Sequence, residues 1–330
     1  MLKGNIIMKK LLFLLLALTF SVALVACNEE NYIPTEGLEY NELADGTYEV
    51  VGIGSATALD IVIPAKHNGK SVTSIASNAF NGCYNIKSVI ISNGITSIGE
   101  GAFNGCTSVS KIILPKTLQS IGTSAFLGCS SLNYNEYDNA KYIGSSSNPY
   151  LALVYAKNTD ITSCRINKNT KFICSDAFYL CSALESIEIP NSVTHIANRA
   201  FLGCSSLKTL KLPSQIDRIE SESFAGCSSL TSITIPDKVQ AIGSRAFEGC
   251  AKLNSITLPK GLKAIKYFAF SGCSALTSIH LPIEVSQIES CAFYSCTSLT
   301  EIKCEAPAES EGFAADWLEN CGATVSYGVK

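Results

Sequence analysis

The sequence predicts a repeat solenoid: about ten coils of 23 residues, with short parallel β-strands and 3₁₀ or helical turns. Three observations predict it. A Phe followed three residues later by a Cys recurs at Phe80/Cys83, Phe103/Cys106, Phe126/Cys129, Phe178/Cys181, Phe201/Cys204, Phe224/Cys227, Phe247/Cys250, Phe270/Cys273 and Phe293/Cys296. The step is 23 residues each time, except for 52 between Phe126 and Phe178. Apolar residues also keep fixed columns between anchors.

With the anchor Phe as column 0, column 3 is Cys, column 6 is mostly Leu, and columns 9, 11, 15 and 18 are Ile, Leu or Val. Phe224-Ala-Gly-Cys-Ser-Ser-Leu-Thr-Ser-Ile-Thr-Ile-Pro236 is a clear copy. Columns 9 and 11 alternate with mostly polar columns 8 and 10, the pattern of a half-buried strand. Pro in column 12 has no N–H to donate and ends the strand. Gly in column 2 suits a tight turn. The Ala-Phe pair before and at the anchor reads as one turn of helix or 3₁₀. The 52-residue step resolves as 29 plus 23 if Tyr155 stands in for Phe, which places a six-residue insertion within residues 133–151. A single coil has too few apolar side chains to offset the entropy of ordering its backbone, so the coils must stack.

Residues 1–26 read as a secretory signal. Lys3, Lys9 and Lys10 precede the uncharged run LLFLLLALTFSVALVA, Leu11 to Ala26. A membrane span needs about 20 residues, so this run is short for one and suits a signal peptide. It ends in Leu24-Val25-Ala26-Cys27, which resembles the bacterial lipobox. That resemblance implies a diacylglycerol thioether on Cys27, cleavage before it, and stable tethering by two or more acyl chains. Residues 27–35 then form a flexible tether.

The pattern L-x-x-I-x-[IL]-P followed by I-x-x-x-A-F-x-G-C resembles the BspA-type leucine-rich repeat of bacterial cell surfaces, over about residues 55–305. The resemblance implies a leucine-rich-repeat solenoid used for adhesion or protein recognition, and no catalytic residues. Residues 36–79 are expected to cap the start, with residues 80–304 as the solenoid. Residues 305–330 are expected to close it, with Phe313, Trp317 and Leu318 on a short amphipathic helix.

Composition narrows the function. Hydrophobic residues are 47% and charged residues 16%, which excludes global disorder. The net charge of −3 leaves no basic surplus for nucleic acid. Fifteen Cys need an explanation. One per coil along a column does not converge on a tetrahedron, so no metal is assigned. Small buried thiols filling a tight inner turn account for the column. Whether Cys304 and Cys321 bridge is left open. No phosphate loop, zinc-protease or serine-hydrolase motif is present, and none of the three His stands at triad spacing, so neither enzymatic activity nor a cofactor is assigned.

Binding is expected on the outward strand face. Its candidate residues are Ile90, Lys111, Ile113, Glu188, Thr209, Lys211, His280 and Lys303. The insertion offers Tyr134, Tyr137 and Tyr142, as contacts or as a hairpin packing its own Tyr on the coil. The expected role is a membrane-tethered surface protein, extracytoplasmic and bound to the bilayer through Cys27, that recognises a host or microbial protein. The alternative is a scaffold of the cell envelope without a dedicated ligand.

Overall fold

The computed structural model describes residues 32–307 and 311–329. The expected signal peptide, Cys27 and the first part of the expected tether lie outside the described residues. Within them the chain winds as a β-solenoid of about twelve turns with no helix.

Two parallel ladders run along the stack, where alternation in columns 8–11 announced one. The first occupies those columns, as in Ser88–Ile91 against Lys111–Ile113 and Ser278–Leu281 against Glu301–Cys304. The second uses columns 17 and 18, as in Ala241–Ile242 against Ala264–Ile265 and then Gln287–Ile288. Ile side chains of columns 9 and 18, such as Ile112, Ile279, Ile242, Ile265 and Ile288, are buried.

The anchor Phe residues form the third corner, where the expected helical turn does not form. Column 21 is left-handed in every regular coil, with φ of 60° at Asn78, 56° at Ser124 and 57° at Arg245. Column 2 is left-handed too, with φ of 70° at Gly82 and 71° at Gly105. A helix needs consecutive right-handed residues, so these two positions confine the corner to single turns. Each turn closes on itself, as where Cys106 N–H donates to the Phe103 carbonyl at 3.2 Å. At Gly128 (φ 76°) a Cβ would also lie 3.2 Å from Gly105 Cα of the preceding coil.

Three contacts join successive corners. The anchor N–H donates to the next coil's column-22 carbonyl: Phe103 to Ala125 and Phe247 to Ala269, both 2.8 Å. The rings stack nearly parallel, with centroids 5.5 Å apart for Phe201/Phe224 and 5.5 Å for Phe224/Phe247. Seven of the nine column-3 thiols donate back to the preceding anchor's carbonyl, as Cys106 to Phe80 at 3.0 Å and Cys296 to Phe270 at 3.1 Å, whereas Cys181 faces the Asn158 carbonyl. Every cysteine among the described residues is a free thiol, Cys304 and Cys321 included.

The ends are coils as well, which lifts the count above ten. Tyr48–Gly52 and Asp60–Ile63 begin the two ladders, covered by the antiparallel strand Glu39–Glu42. At the other end the expected amphipathic helix is absent. Residues 311–321 form turns, and Thr324–Tyr327 adds a parallel strand to Glu301–Cys304, 23 residues on. Trp317 closes the ring column edge-on to Phe293 at 5.8 Å.

The irregular coil departs from expectation at Tyr155. There Ala156, not Tyr155, holds the anchor position by donating its N–H to Ala177 at 2.7 Å. The ring column therefore splits into Phe80–Phe126 and Phe178–Phe293, and the core into two clusters.

Phe224→Ala is expected to destabilise by about 3–5 kcal/mol, because rings stack on both of its faces. Equilibrium urea unfolding checks this. Stability should also fall at alkaline pH. Burial pushes the Cys106 and Cys296 thiols from 9.0 up to about 12, and raises Cys227, Cys250 and Cys273 well above the ordinary value. The folded chain holds protons that the unfolded chain releases, so stability declines as pH rises from about 9 towards 12. The urea midpoint should drop over that window, and less steeply in a Cys227→Ala/Cys250→Ala variant.

Candidate surface groove

The strand face is not uniform. Between the coil carrying Ser186–Glu188 and His195–Ile196 and the coil carrying Thr209–Lys211 and Arg218–Ile219, neither ladder is paired among the described residues. Thr209 keeps one bridge, to Ser232 on its far side. The Phe corner at the same junction is tight. Phe178 and Phe201 stack at 5.1 Å and 3°, Phe178 N–H donates to Ala200 at 2.8 Å, and the Cys204 thiol donates to Phe178 at 3.2 Å. The Lys208–Glu185 ion pair, at 2.7 Å, also spans it. The two coils are thus joined along the corner and parted along columns 9–18. The first ladder also lapses between Ser255–Thr257 and Ser278–Leu281, where column 9 is Ile in both coils, but there the second ladder stays paired. Column 9 differs at the doubly open junction. It is Leu210 here, whereas every other regular coil has Ile or Val, which fit a pleated ladder better.

A groove of about 930 Å³ opens over this place. It is lined by Ser186 and Ile187 of one coil, by Thr209–Leu212, Ser214 and Gln215 of the next, and by residues 232–238 of the third. Leu210, Leu212, Ile233 and Ile235 are buried beneath it, and Thr209, Lys211 and Lys238 are exposed at its lip. Lys238 Nζ donates to Gln215 Oε1 at 2.6 Å. A second groove of about 560 Å³ shares Ile187 and Lys211 and runs on past Glu188, Arg165 and Lys168 to Tyr137. The Arg165 guanidinium lies over the Tyr137 ring at 5.8 Å. His195, beside the parted second ladder, is held below its ordinary pKa by burial.

The predicted face residues fall into three groups. Glu188, Thr209 and Lys211 line the grooves. Ile90 and Ile113 sit beside Val62 in a half-buried apolar strip, with Lys111 exposed next to it. His280 and Lys303 are ladder partners far along the stack, where His280 contacts Glu305 at 3.1 Å and Lys303 contacts Glu301 at 3.5 Å.

The insertion is a hairpin, Asn135–Tyr137 against Ala140–Ile143, which then pairs with Ala152–Ala156. Tyr142 is fully buried and is a core residue, not an insertion contact; its hydroxyl accepts the Asn167 N–H at 3.3 Å. Tyr134 is half-buried, edge-on to Tyr155, and burial raises its pKa. Tyr137 lines the second groove, and Tyr134 lines a separate hollow of about 380 Å³ with Lys141 and Tyr155.

Sequence reasoning overlooked several surface features. Arg165 was legible, since it follows Cys164 on column 9. Lys168 and Lys238 lie past the strand, where no column assigned a direction. At the Phe corner, Tyr267, Phe268 and Tyr294 cluster with the Arg245 guanidinium 5.3 Å over Phe268. A 400 Å³ hollow lined by Leu127, Tyr155, Tyr179 and Arg199 marks the break in the ring column. Cys291, Asp316 and Glu319 bring a thiol and two carboxylates within 4.8 Å. Burial and the Glu319 carboxylate hold that thiol up to about 11, so it keeps its proton at neutral pH.

A family model, the BspA type leucine rich repeat region, matches residues 60–150, 152–240 and 217–324. The chain belongs to this family. The BspA-type chain is also similar in structure to a leucine rich cell surface protein from Faecalibacterium prausnitzii (22% identity, 90% of this chain and 95% of that one, TM-score 0.37). A leucine-rich repeat protein from Bacteroides ovatus matches at 26% identity over 91% of this chain and 71% of that one, TM-score 0.45. One from T. pallidum matches at 22% over 74% and 91%, TM-score 0.38. No curated protein matches the sequence. Among the described residues no helix is long and apolar enough to cross a membrane.

Tyr142→Phe removes the acceptor of a buried N–H and is expected to destabilise by about 1–3 kcal/mol. It should leave ligand capture unchanged. Thermal melts alongside a capture assay separate the two effects.

Proposed function

We propose that this BspA-type protein is a cell-surface recognition protein, held to a membrane through lipid on Cys27, that grips another protein along its outward strand face. One observation carries the reading: the strand face opens into two adjoining grooves, with buried aliphatic side chains below and, at the border, cations that form no ion pair among the described residues. Recognition sites are typically concave, apolar at depth, and given direction by a few polar groups at the rim. The lipobox at Leu24–Cys27 and the family's surface setting support the location. The repeat scaffold supplies a long surface, and the work we assign to it is binding.

Cells expressing the chain are expected to lose attachment to host matrix or co-resident cells when surface protein is shaved by protease. Purified chain added in solution should compete for that attachment. Failure to compete, together with a leaky envelope on gene deletion, would establish the scaffold role instead. Mass analysis of the mature N-terminus should find Cys27 diacylated; an unmodified Cys27 removes the anchor from the reading.

A further inference from the structure

We infer that the adjoining grooves take an extended acidic peptide segment of the partner protein. This inference rests on the recognition reading above and names its ligand class.

The argument begins with backbone groups. A parallel ladder uses peptide N–H and C=O groups from both strands, and at this junction columns 9–18 make none of those bonds. An extended peptide carries donors and acceptors at the same spacing and can pair with a strand edge. Neither a sugar chain nor a lipid presents that repeat. Buried Leu210, Leu212, Ile233 and Ile235 lie beneath the first groove, and the two grooves adjoin with Ile187 and Lys211 lining both, which favours a length of chain over a compact molecule.

Charge selects the sequence of that peptide. Arg165, Lys168, Lys211 and Lys238 border the grooves, and none of them forms an ion pair among the described residues. Glu188 and Asp237 are the acids in the same lining. The whole chain is net negative, so this basic border is a local departure. Lysines at the rim of an apolar cleft attract carboxylates and steer their approach. Tyr137, with Arg165 over its ring, closes one end.

The test uses the full chain and a fluorescein-labelled octapeptide alternating Glu with Thr, followed by fluorescence anisotropy at low salt. Saturable binding is expected, weakened roughly tenfold by raising salt from about 50 to 200 mM, as for a few contacts between opposite charges. A Lys/Thr octapeptide should bind at least about tenfold more weakly. The Glu/Thr peptide with N-methylated threonine amides should lose a similar factor, because it cannot donate to the open edge. Lys211→Glu/Lys238→Glu should abolish binding, and Lys111→Glu/Lys303→Glu, on the same face but outside the grooves, should retain it. Equal binding of the Lys/Thr peptide, unchanged binding by the groove variant, or preference for heparin over the peptide would each overturn the inference. The two readings fail separately. If the groove variant still competes for cell attachment, recognition stands and the groove assignment falls. If the peptide binds at the groove but the chain captures no surface partner, the assignment stands and the recognition reading falls.

Discussion

The structure depends on the Phe corner. A coil of 23 residues has no partner within itself for its outward-facing peptide groups, and one ring cannot make a core. At the corner each anchor that precedes another Phe coil, seven of the nine, is fixed to that coil by its N–H, its ring and its carbonyl together. The last of these bonds explains why column 3 is Cys. A serine there would bring a hydroxyl that needs full satisfaction in a dry core, and an alanine would leave the Phe carbonyl a bond short and the turn underfilled. A thiol fills the space and donates weakly at 3.0–3.4 Å.

That corner allows the rest to vary. Where Phe178 and Phe201 are closest, the two ladders between their coils are unpaired. Strands are thus interchangeable detail in this fold, and a coil can part from its neighbour on two sides without leaving the stack. The break at Ala156 is the converse case. There the ring is missing, the core divides, and antiparallel strands from the insertion hold the two halves together.

Much of this was legible in the residues. The 23-residue step, the inward columns, the Pro that ends each strand and the free thiols all follow from periodicity and from the small size of Cys. Three features were not. The corner turns looked helical because Ala-Phe is compatible with helix, and left-handed Asn78, Arg199 or Glu222 carry no mark as plain as Gly. Tyr155 fits the column count, but the hairpin ahead of it shifts the hydrogen-bonding position by one residue. The terminal segment was read by its apolar spacing, which 313, 317 and 318 satisfy, while its 23-residue relation to Glu301–Cys304 went unread because its side chains differ. The grooves were half legible: Glu188, Thr209 and Lys211 lay on the expected face. Nothing in a list of columns shows that a ladder is open, since Ser255–Thr257 and Ser278–Leu281 also go unpaired with Ile in column 9 of both.

The thiol column has a further consequence for how such a molecule ages. While the coils are closed, the buried sulfurs, all those described but Cys83 and Cys321, are sealed from oxidants and too weakly acidic to exchange. Opening a run of coils would put many cysteines at equal intervals on one flexible chain, where any pair can join. In an oxidising medium such cross-links would trap the opened state before it could rewind. Lifetime in that setting is then governed by how seldom the stack opens rather than by its equilibrium stability.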